Sequence, residues 1–303
     1  MPTPALLACD WGTTNLRAWV LDDAGGVLRS ADFPFGVSQI AAGEPPARFA
    51  QVRAALSAQD LPAMLCGMVG SNLGWTLAPY VDCPAGLAQI SARLTAAPDT
   101  EGRVRIAPGV RWDGFNGQGD VMRGEETQLF GWLGADPVRA SGRRLVCHPG
   151  THAKWMAVEA GRLAGFVTTM TGELFALLRA NGVLRSDAAA DDLEAFDAGV
   201  QAAGDGEALS ARLFTARARV VGLGRDPRST PSYLSGLLIG ADLATPRLLG
   251  FAADAPVVLL GDLALCGLYQ RALAARGVAS EGHDGQAAAC AGLLALWRQG
   301  DAA

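Results

Sequence analysis

The segment 10–15, Asp-Trp-Gly-Thr-Thr-Asn, brings together groups that can bind phosphate. It lies between the apolar runs 5–9 and 16–21, so it is predicted to form the turn between two strands. The N–H groups and hydroxyls of such a turn can face a phosphate, and Asp10 can orient a phosphate-bound Mg²⁺ ion through water. An ordinary hairpin with a polar tip is the alternative. The residues expected to contact phosphate are Gly12, Thr13, Thr14 and Asn15.

A similar turn is predicted at 149–152, between strands at 145–148 and 154–159. Just after it, Lys154 is the only lysine among 25 basic residues. Because arginine supplies every other basic side chain, this position favours a site that needs a compact ammonium group rather than a planar guanidinium. A surface lysine is the alternative. The residues of this region expected to bind phosphate are Gly150, Thr151, His152 and Lys154.

Composition narrows the class of protein. The 303 residues suffice for two domains, and half of them are hydrophobic. A net charge of −5 without a basic stripe argues against nucleic acid as a partner. The six cysteines form no C-x-x-C pair, which favours reduced thiols. The N-terminus lacks a basic signal region, and the apolar run 257–268 is too short to cross a membrane. We therefore expect a cytoplasmic protein without membrane contact.

The two turns open two similar halves, each reading strand, glycine turn, strand, turn, strand, helix. This recurrence predicts a duplicated α/β fold. The segment 135–143, which contains Pro137 and Gly142, is the predicted junction between domains 1–140 and 141–303. Packing of the last helix on the first domain is an alternative to this simple division. Further strands are predicted at 27–31, 64–68, 104–107, 163–168 and 257–260, and helices from 45 and 172 and at 125–133, 191–202, 209–218, 232–243, 263–276 and 286–299.

The two turns resemble the phosphate-1 and phosphate-2 turns of the actin-like superfamily of sugar kinases, hexokinases and chaperone ATPases. Five longer blocks resemble the 2-dehydro-3-deoxygalactonokinase family and follow one another in the family's order, so that the resemblance covers essentially the whole chain. They are Gly-Met-Val-Gly-Ser-Asn-Leu-Gly-Trp at 67–75, Val-Met-Arg-Gly-Glu-Glu-Thr-Gln at 121–128, Pro-Gly-Thr-His-Ala-Lys-Trp at 149–155, Thr-Met-Thr-Gly-Glu-Leu at 169–174 and Ser-Gly-Leu-Leu-Ile-Gly-Ala at 235–241.

This resemblance implies a two-domain actin-like ATPase fold of the ribonuclease H-like kind, with duplicated βββαβαβα domains and a cleft between them. It also implies an ATP- and Mg²⁺-dependent kinase that phosphorylates the 6-hydroxyl of 2-dehydro-3-deoxy-D-galactonate in galactonate catabolism. The expected partner is therefore a small sugar acid, and a homodimer is left open. A kinase for another sugar acid, a hexose or an amino sugar is the nearest alternative. An ATP-hydrolysing chaperone or regulatory module of the same fold is a further one.

The resemblance also suggests a catalytic base. Hexokinase-like relatives carry this acid at the head of a helix upstream of phosphate-2, and Glu125 lies 25 positions before Gly150 at such a helix start. We therefore expect Glu125 to accept the proton of the attacking hydroxyl, with Glu126 as second choice. Glu173 and Asp10 are outside candidates. Alternatively, the two adjacent glutamates only complement the helix dipole.

A sugar-acid substrate carries a carboxylate, which needs a cation or a set of N–H donors. Arg123 is the expected cation, and Trp75 is expected to form an apolar wall. The residues assigned to substrate are Ser71, Asn72, Trp75, Arg123 and Glu173. Near the C-terminus the chain departs from the superfamily pattern: Gly261 is followed by Asp262 instead of a second small residue. The resemblance places Gly261 near the adenosine, and this departure argues against a direct contact there.

Overall fold

The computed structural model describes residues 2–251, 253 and 255–301. The strands are β1 Pro4–Trp11, β2 Leu16–Asp22, β3 Val27–Phe33, β4 Ala63–Gly67, β5 Tyr80–Asp82, β6 Thr95–Ala96, β7 Val104–Ile106, β8 Gly109–Trp112, β9 Asp120–Met122, β10 Arg143–His148, β11 Ala153–Glu159, β12 Arg162–Thr169, β13 Val257–Gly261 and β14 Ser280–Asp284. The α-helices are α1 Pro45–Ala55, α2 Leu87–Ser91, α3 Glu125–Gly134, α4 Thr171–Ala180, α5 Leu193–Ala202, α6 Leu209–Val221, α7 Thr230–Asp242, α8 Leu263–Ala274 and α9 Gly285–Asp301. Short 3₁₀ helices cover Val37–Gln39, Met68–Gly70, Pro137–Ala140, Gly182–Leu184, Pro227–Ser229 and Thr245–Leu249.

The chain divides into two compact units. Unit 1 comprises Met1–Gly142, Val158–Gly165 and Gly285–Ala303, whereas unit 2 comprises Arg143–Ala157 and Phe166–Asp284. The first break falls at the end of the Pro- and Gly-containing segment 135–143. Within the described residues, no helix has both the length and the hydrophobicity that a membrane span requires.

The main sheet of unit 1 has the strand order β3-β2-β1-β4-β7-β6. The first three strands form an antiparallel meander, and β4 and β7 then continue in parallel from β1. Asp10 pairs with Cys66, and Trp11 pairs with Gly67, so β1 and β4 end together. Because parallel strands present their carboxyl ends at one edge, the residues that follow β1 and β4 share that edge.

The main sheet of unit 2 repeats this arrangement with the order β12-β11-β10-β13-β14. Here β13 runs parallel to β10, and β14 runs parallel to β13. The duplicated α/β fold that the two turns predicted is therefore confirmed. The strand β14 was not predicted, because its sequence Ser-Glu-Gly-His-Asp has no apolar run or alternation. The small sheet β5-β8-β9 was also not predicted, since its strands span only three or four residues.

In unit 1, α3 and α9 pack with their backbones in close contact. A Cβ placed on Gly131 of α3 would lie 2.0 Å from the carbonyl oxygen of Ala288, and one on Gly292 of α9 would lie 2.0 Å from that of Thr127. Real side chains do not tolerate such distances, so each glycine is required for the approach of the other helix. The C-terminal helix therefore determines where α3 lies.

We expect Gly131→Ala to destabilise the protein by about 1–3 kcal/mol or more, because the added methyl group must push α9 away from α3. Chemical denaturation followed by circular dichroism measures this free energy of unfolding.

Gly134→Ala is the matched control in the same helix. A Cβ at Gly134 meets no atom within 4 Å, and alanine favours helix by about 1 kcal/mol over glycine. We therefore expect this variant to be as stable as the parent or more so. Equal destabilisation by both substitutions would contradict the close packing of α3 and α9.

Candidate active site

The turn between β1 and β2 presents its donors because its carbonyls are already engaged. Asn15 O accepts a hydrogen bond from Gly12 N at 2.9 Å. The carbonyls of residues 12, 13 and 14 accept bonds from the N–H groups of residues 37, 38 and 36, and the Ser38 hydroxyl donates to Thr13 O at 2.8 Å. The side chains of residues 13–15 are exposed. The groups that the turn can offer to a ligand are therefore N–H and hydroxyl donors, as an anion requires.

Asp10 lies at the carboxyl end of β1, directly before this turn. Its removal from water raises the pKa of its carboxyl to about 6, Arg17 across the β1–β2 hairpin lowers it, and the nearby charge of Glu125 raises it. The Cys66 thiol donates a weak hydrogen bond to Asp10 Oδ1 at 3.8 Å. The sheet therefore holds a partly buried carboxylate at the expected place, and Arg17 lies across the hairpin from it.

Two glycines bring the start of α3 to this edge of the sheet. Gly67 ends β4 with φ +87°, and a Cβ there would lie 2.8 Å from Trp11 O and 3.2 Å from Asp10 Oδ1. Gly124 precedes α3 with φ +118°, and a Cβ there would lie 3.3 Å from the Cα of Gly67. Both positive φ values and the close contact favour glycine. As a result, Glu125 comes close enough to Asp10 to influence its pKa.

The two adjacent glutamates have different surroundings. Glu126 is fully buried; its Oε2 accepts a hydrogen bond from Gly124 N at 2.7 Å, and its Oε1 accepts one from the Thr127 hydroxyl at 3.1 Å. Burial, followed by the charge of Glu125, raises the pKa of Glu126 to about 8. Glu125 is only half-buried. Glu126 therefore holds the turn before α3, while Glu125 is the glutamate that a substrate can reach.

Arg123 is buried just before this turn. Its Nη2 donates to Ala78 O at 2.8 Å, and its guanidinium lies 4.5 Å from the centre of the Tyr80 ring. Its Nε and Nη1 are buried without a hydrogen-bond partner among the described residues. A Cβ on Gly70 would lie 2.9 Å from Nη1, so this glycine leaves the room that the guanidinium occupies. A buried guanidinium with two unused donors suits an anionic ligand.

The other residues assigned to substrate in unit 1 surround this region with different degrees of exposure. Ser71 is buried, and its hydroxyl donates to Met68 O at 2.7 Å and accepts from Leu73 N at 3.2 Å. Asn72 is exposed. Trp75 is half-buried and packs on Phe49 with a ring separation of 5.4 Å. Ser71 therefore shapes the loop, Asn72 remains accessible, and Trp75 contributes to the core of unit 1.

In unit 2, the second turn packs against the start of α4. A Cβ on Gly172 would lie 2.5 Å from Gly150 O, and Glu173 N donates to Thr151 O at 2.9 Å. The Glu173 carboxylate lies 2.5 Å from Nε2 of His152. Glu173 is therefore engaged with a residue of the second turn, and its carboxylate and the His152 imidazole fix each other.

Lys154 is not a surface lysine: only 4% of the residue is exposed. Its Nζ donates to His152 O at 3.0 Å, which places the ammonium group beneath the second turn. Gly261 also borders this turn, since a Cβ there would lie 3.4 Å from Pro149 O. Asp262 caps α8 by accepting a hydrogen bond from Leu265 N at 2.9 Å. Asp262, at which the sequence departs from the superfamily pattern, therefore has the role of a helix cap.

A cavity of about 170 Å³ in unit 2 was missed by sequence reasoning. Gly150 and the start of α4 line one side, and apolar side chains of α4, α7 and α8 line the rest. Tyr269 forms part of its wall, and the Tyr269 hydroxyl donates to the buried Asp242 at 2.6 Å. The block Ser-Gly-Leu-Leu-Ile-Gly-Ala carried a usable signal, because Ser235, Leu238 and Ile239 line the cavity.

A magnesium ion would depend on few protein ligands here. Within the described residues, no group of three or more His, Cys, Asp or Glu side chains could hold a metal ion. Magnesium bound to a nucleotide usually keeps several waters and takes one or two carboxylates besides the phosphates. A single carboxylate at Asp10, next to a turn that offers N–H and hydroxyl donors, fits that donor set.

Comparison with a solved structure identifies the fold of this chain. The chain aligns with the activator of 2-hydroxyisocaproyl-CoA dehydratase from Clostridium difficile, solved with bound ADPNP, with a TM-score of 0.53 at 12% identity over 100% of this chain and 97% of that one. This likeness shows the fold alone, and that fold is the actin-like ATPase fold expected from the two turns.

More similar proteins define the family. A family model for 2-keto-3-deoxy-galactonokinase matches residues 10–296. The 2-dehydro-3-deoxygalactonokinase of Escherichia coli (strain K12) is 35% identical over 297 residues, which cover 97% of this chain and 98% of the relative. The crystal structure of a candidate 2-dehydro-3-deoxygalactonokinase from Sinorhizobium meliloti aligns with a TM-score of 0.86 at 35% identity over 97% of this chain and 98% of that one. The chain belongs to the 2-keto-3-deoxy-galactonokinase family.

The raised pKa of Glu126 predicts a pH-dependent stability difference. Between pH 4.5 and about 8 the unfolded chain loses this proton while the folded protein keeps it, so rising pH destabilises the fold. In Glu126→Gln this contribution is absent. We expect the variant to gain stability relative to the parent across this window, by at most about 1.4 kcal/mol per pH unit.

Urea denaturation of both proteins from pH 4 to pH 9 measures this difference in the free energy of unfolding. The difference should level off as the pH falls below 4.5, because Glu126 then becomes protonated in both states of the parent. A constant difference over the entire range would show that Glu126 is ionised in the folded protein.

Proposed function

We propose that this chain transfers the γ-phosphoryl group of ATP to the 6-hydroxyl of 2-dehydro-3-deoxy-D-galactonate. Membership of the family supports a sugar-acid kinase. The observation that supports an acidic substrate is the buried guanidinium of Arg123, which has two donors that no described residue uses. A neutral hexose would leave this charge without a partner, whereas the carboxylate of a sugar acid would pair with it.

Each of the two turns is proposed as a phosphate-binding element. In the first turn the carbonyls of residues 12–15 are engaged and Gly12 N donates to Asn15 O, so the N–H groups of residues 13–15 and the hydroxyls of Thr13 and Thr14 remain for phosphate oxygens. In the second turn, the buried Lys154 adds a positive charge beneath residues 150–152. The apolar cavity begins at Gly150, so a nucleotide whose phosphates contact this turn can place its base there.

Glu125 is proposed as the general base. It is half-buried at the start of α3, so a substrate hydroxyl can reach its carboxylate while the access of water is restricted. Glu126 is a poor base because its pKa of about 8 keeps it protonated at neutral pH. Asp10 is assigned to orient Mg²⁺; when bound, this ion would neutralise charge on the transferred phosphate. The protein thus supplies a proton acceptor, orientation and positive charge, which phosphoryl transfer requires.

The unbridged state of all six cysteines supports a reducing compartment. We therefore assign the enzyme to the cytoplasm.

An ADP-release assay tests the substrate class. We expect turnover with 2-dehydro-3-deoxy-D-galactonate and ATP, and little turnover with glucose or N-acetylmannosamine. Arg123→Gln should raise the KM for the sugar acid roughly tenfold to a hundredfold, because hydrogen bonds to a charged group are lost. The same substitution should leave the weak activity on neutral sugars nearly unchanged, since these have no carboxylate to lose.

Urea denaturation controls for damage to the fold in this variant. Replacing a buried, partly unpaired charge is often neutral or stabilising, so we expect no large loss of stability in Arg123→Gln. An unchanged KM for the sugar acid would exclude Arg123 from substrate binding. A wild-type preference for neutral hexoses would overturn the proposed substrate class.

Glu125→Gln tests the base. We expect kcat to fall by about 10²–10⁴-fold, because the amide cannot accept the proton of the attacking hydroxyl. Nucleotide affinity, measured by titration calorimetry, should stay close to that of the parent. Glu126→Gln is the matched comparison, one residue further along α3, and should lose much less turnover. If the two losses were reversed, the base would be Glu126.

A further inference from the structure

A second cavity lies within unit 2, among α5, α6, α7 and the connection between α6 and α7. Its volume is about 550 Å³, within the range of roughly 300–1,000 Å³ that small-molecule sites occupy. It shares no lining residue with the 170 Å³ cavity that borders the second turn. The proposed kinase reaction gives it no role.

Arg219 is the central polar group of this cavity. Its guanidinium lies 4.3 Å from the centre of the Tyr233 ring, and its Nη1 is buried without a hydrogen-bond partner in the described part of the chain. Tyr233 is itself buried, and its hydroxyl forms a 2.8 Å hydrogen bond with the Thr215 hydroxyl. The ring therefore holds the guanidinium in place, while one nitrogen keeps an unused donor.

Three carboxylates line this cavity, and those of Asp192 and Asp226 are hydrogen-bonded. Asp226 accepts hydrogen bonds from the Arg228 guanidinium at 2.7 and 3.0 Å and from Arg228 N at 2.9 Å. Asp192 caps α5 by accepting from Ala195 N at 2.9 Å. Arg225 adds a second guanidinium to the lining. Glu194, the third acid, is exposed at the start of α5, and no ion pair within the described residues joins Arg219 to any of the three carboxylates.

The remaining wall is apolar. Alanines of α5 and α6 and Leu223 form this apolar part of the lining. An inorganic ion would leave this apolar surface in contact with water, whereas an organic body would cover it. Size, charge and lining therefore point to one kind of ligand, a small organic molecule that carries an oxyanion.

We propose that this cavity is a binding site for a small organic acid, with its carboxylate or phosphate on Arg219 and its apolar body against the alanines and Leu223. This proposal is independent of the kinase activity, because binding there is measured without turnover.

Titration calorimetry with two matched probes tests the site. Benzoate and phenyl phosphate share a ring and differ in the anionic group, so their comparison distinguishes a carboxylate site from a phosphate site. We expect one of them to bind at a 1:1 ratio, and inorganic phosphate and benzyl alcohol to bind at least about tenfold more weakly, since each lacks one half of the recognition.

Two variants locate the binding. Arg219→Gln should weaken it about tenfold or more, whereas Arg217→Gln should not, because Arg217 is exposed and two residues along α6 point to nearly opposite faces. Arg225→Gln provides a second test at an exposed position if Arg219→Gln fails to fold. Arg123→Gln should bind the probe normally, which separates this cavity from the proposed sugar-acid site.

No binding of either aromatic acid at millimolar concentration would overturn the proposal. So would binding that survives both Arg219→Gln and Arg225→Gln, or equal affinity for inorganic phosphate. None of these results would bear on the kinase assignment, which is tested by ADP release.

Discussion

The site of unit 1 depends on the contact between the backbones of Gly67 and Gly124. These residues belong to the end of β4 and the turn before α3. A Cβ on Gly124 would lie 3.3 Å from Gly67 Cα, and one on Gly67 would lie 2.8 Å from Trp11 O, so a side chain at either position would disturb this edge of the sheet. Asp10 lies at this edge because β1 ends beside β4. The approach of Gly124 to Gly67 brings Glu125 close enough to Asp10 to raise its pKa. The close-packed backbone therefore explains how a carboxylate from a helix and a carboxylate from a strand meet although 115 positions separate them in the sequence.

This arrangement concentrates groups that are unfavourable without a ligand. Burial and the nearby charge of Glu125 raise the pKa values of Asp10 and Glu126, and Arg123 keeps two buried donors unused among the described residues. Such groups destabilise a fold, so their presence together in one region is typical of a functional site. The same logic explains why the protein needs Gly70, which makes room for the Arg123 guanidinium at the cost of a flexible backbone position.

Local patterns predicted the elements that carry the turns, because β1, β2, β10, β11 and β13 are apolar runs bounded by glycine or acidic turns. They did not predict β14 or the sheet β5-β8-β9, whose strands are polar or very short and form only through long-range pairing. Lys154 shows a related limit. Its uniqueness among the basic residues suggested a special position, but its burial beneath the second turn depends on tertiary packing. Likewise, no local pattern distinguishes Glu125 from Glu126, since both fit a helix N-terminus.

The place of α9 has a consequence for how the molecule is made on the ribosome. Unit 1 begins at the N-terminus, yet its helix α3 packs on a segment that starts at Gly285, after the whole of unit 2 has been synthesised. The nascent chain can therefore complete unit 2 while α3 still lacks its neighbour, although multidomain proteins generally fold from the N-terminus onwards. A chain released before Gly285 lacks the helix against which α3 packs, so such a product cannot complete this part of the molecule.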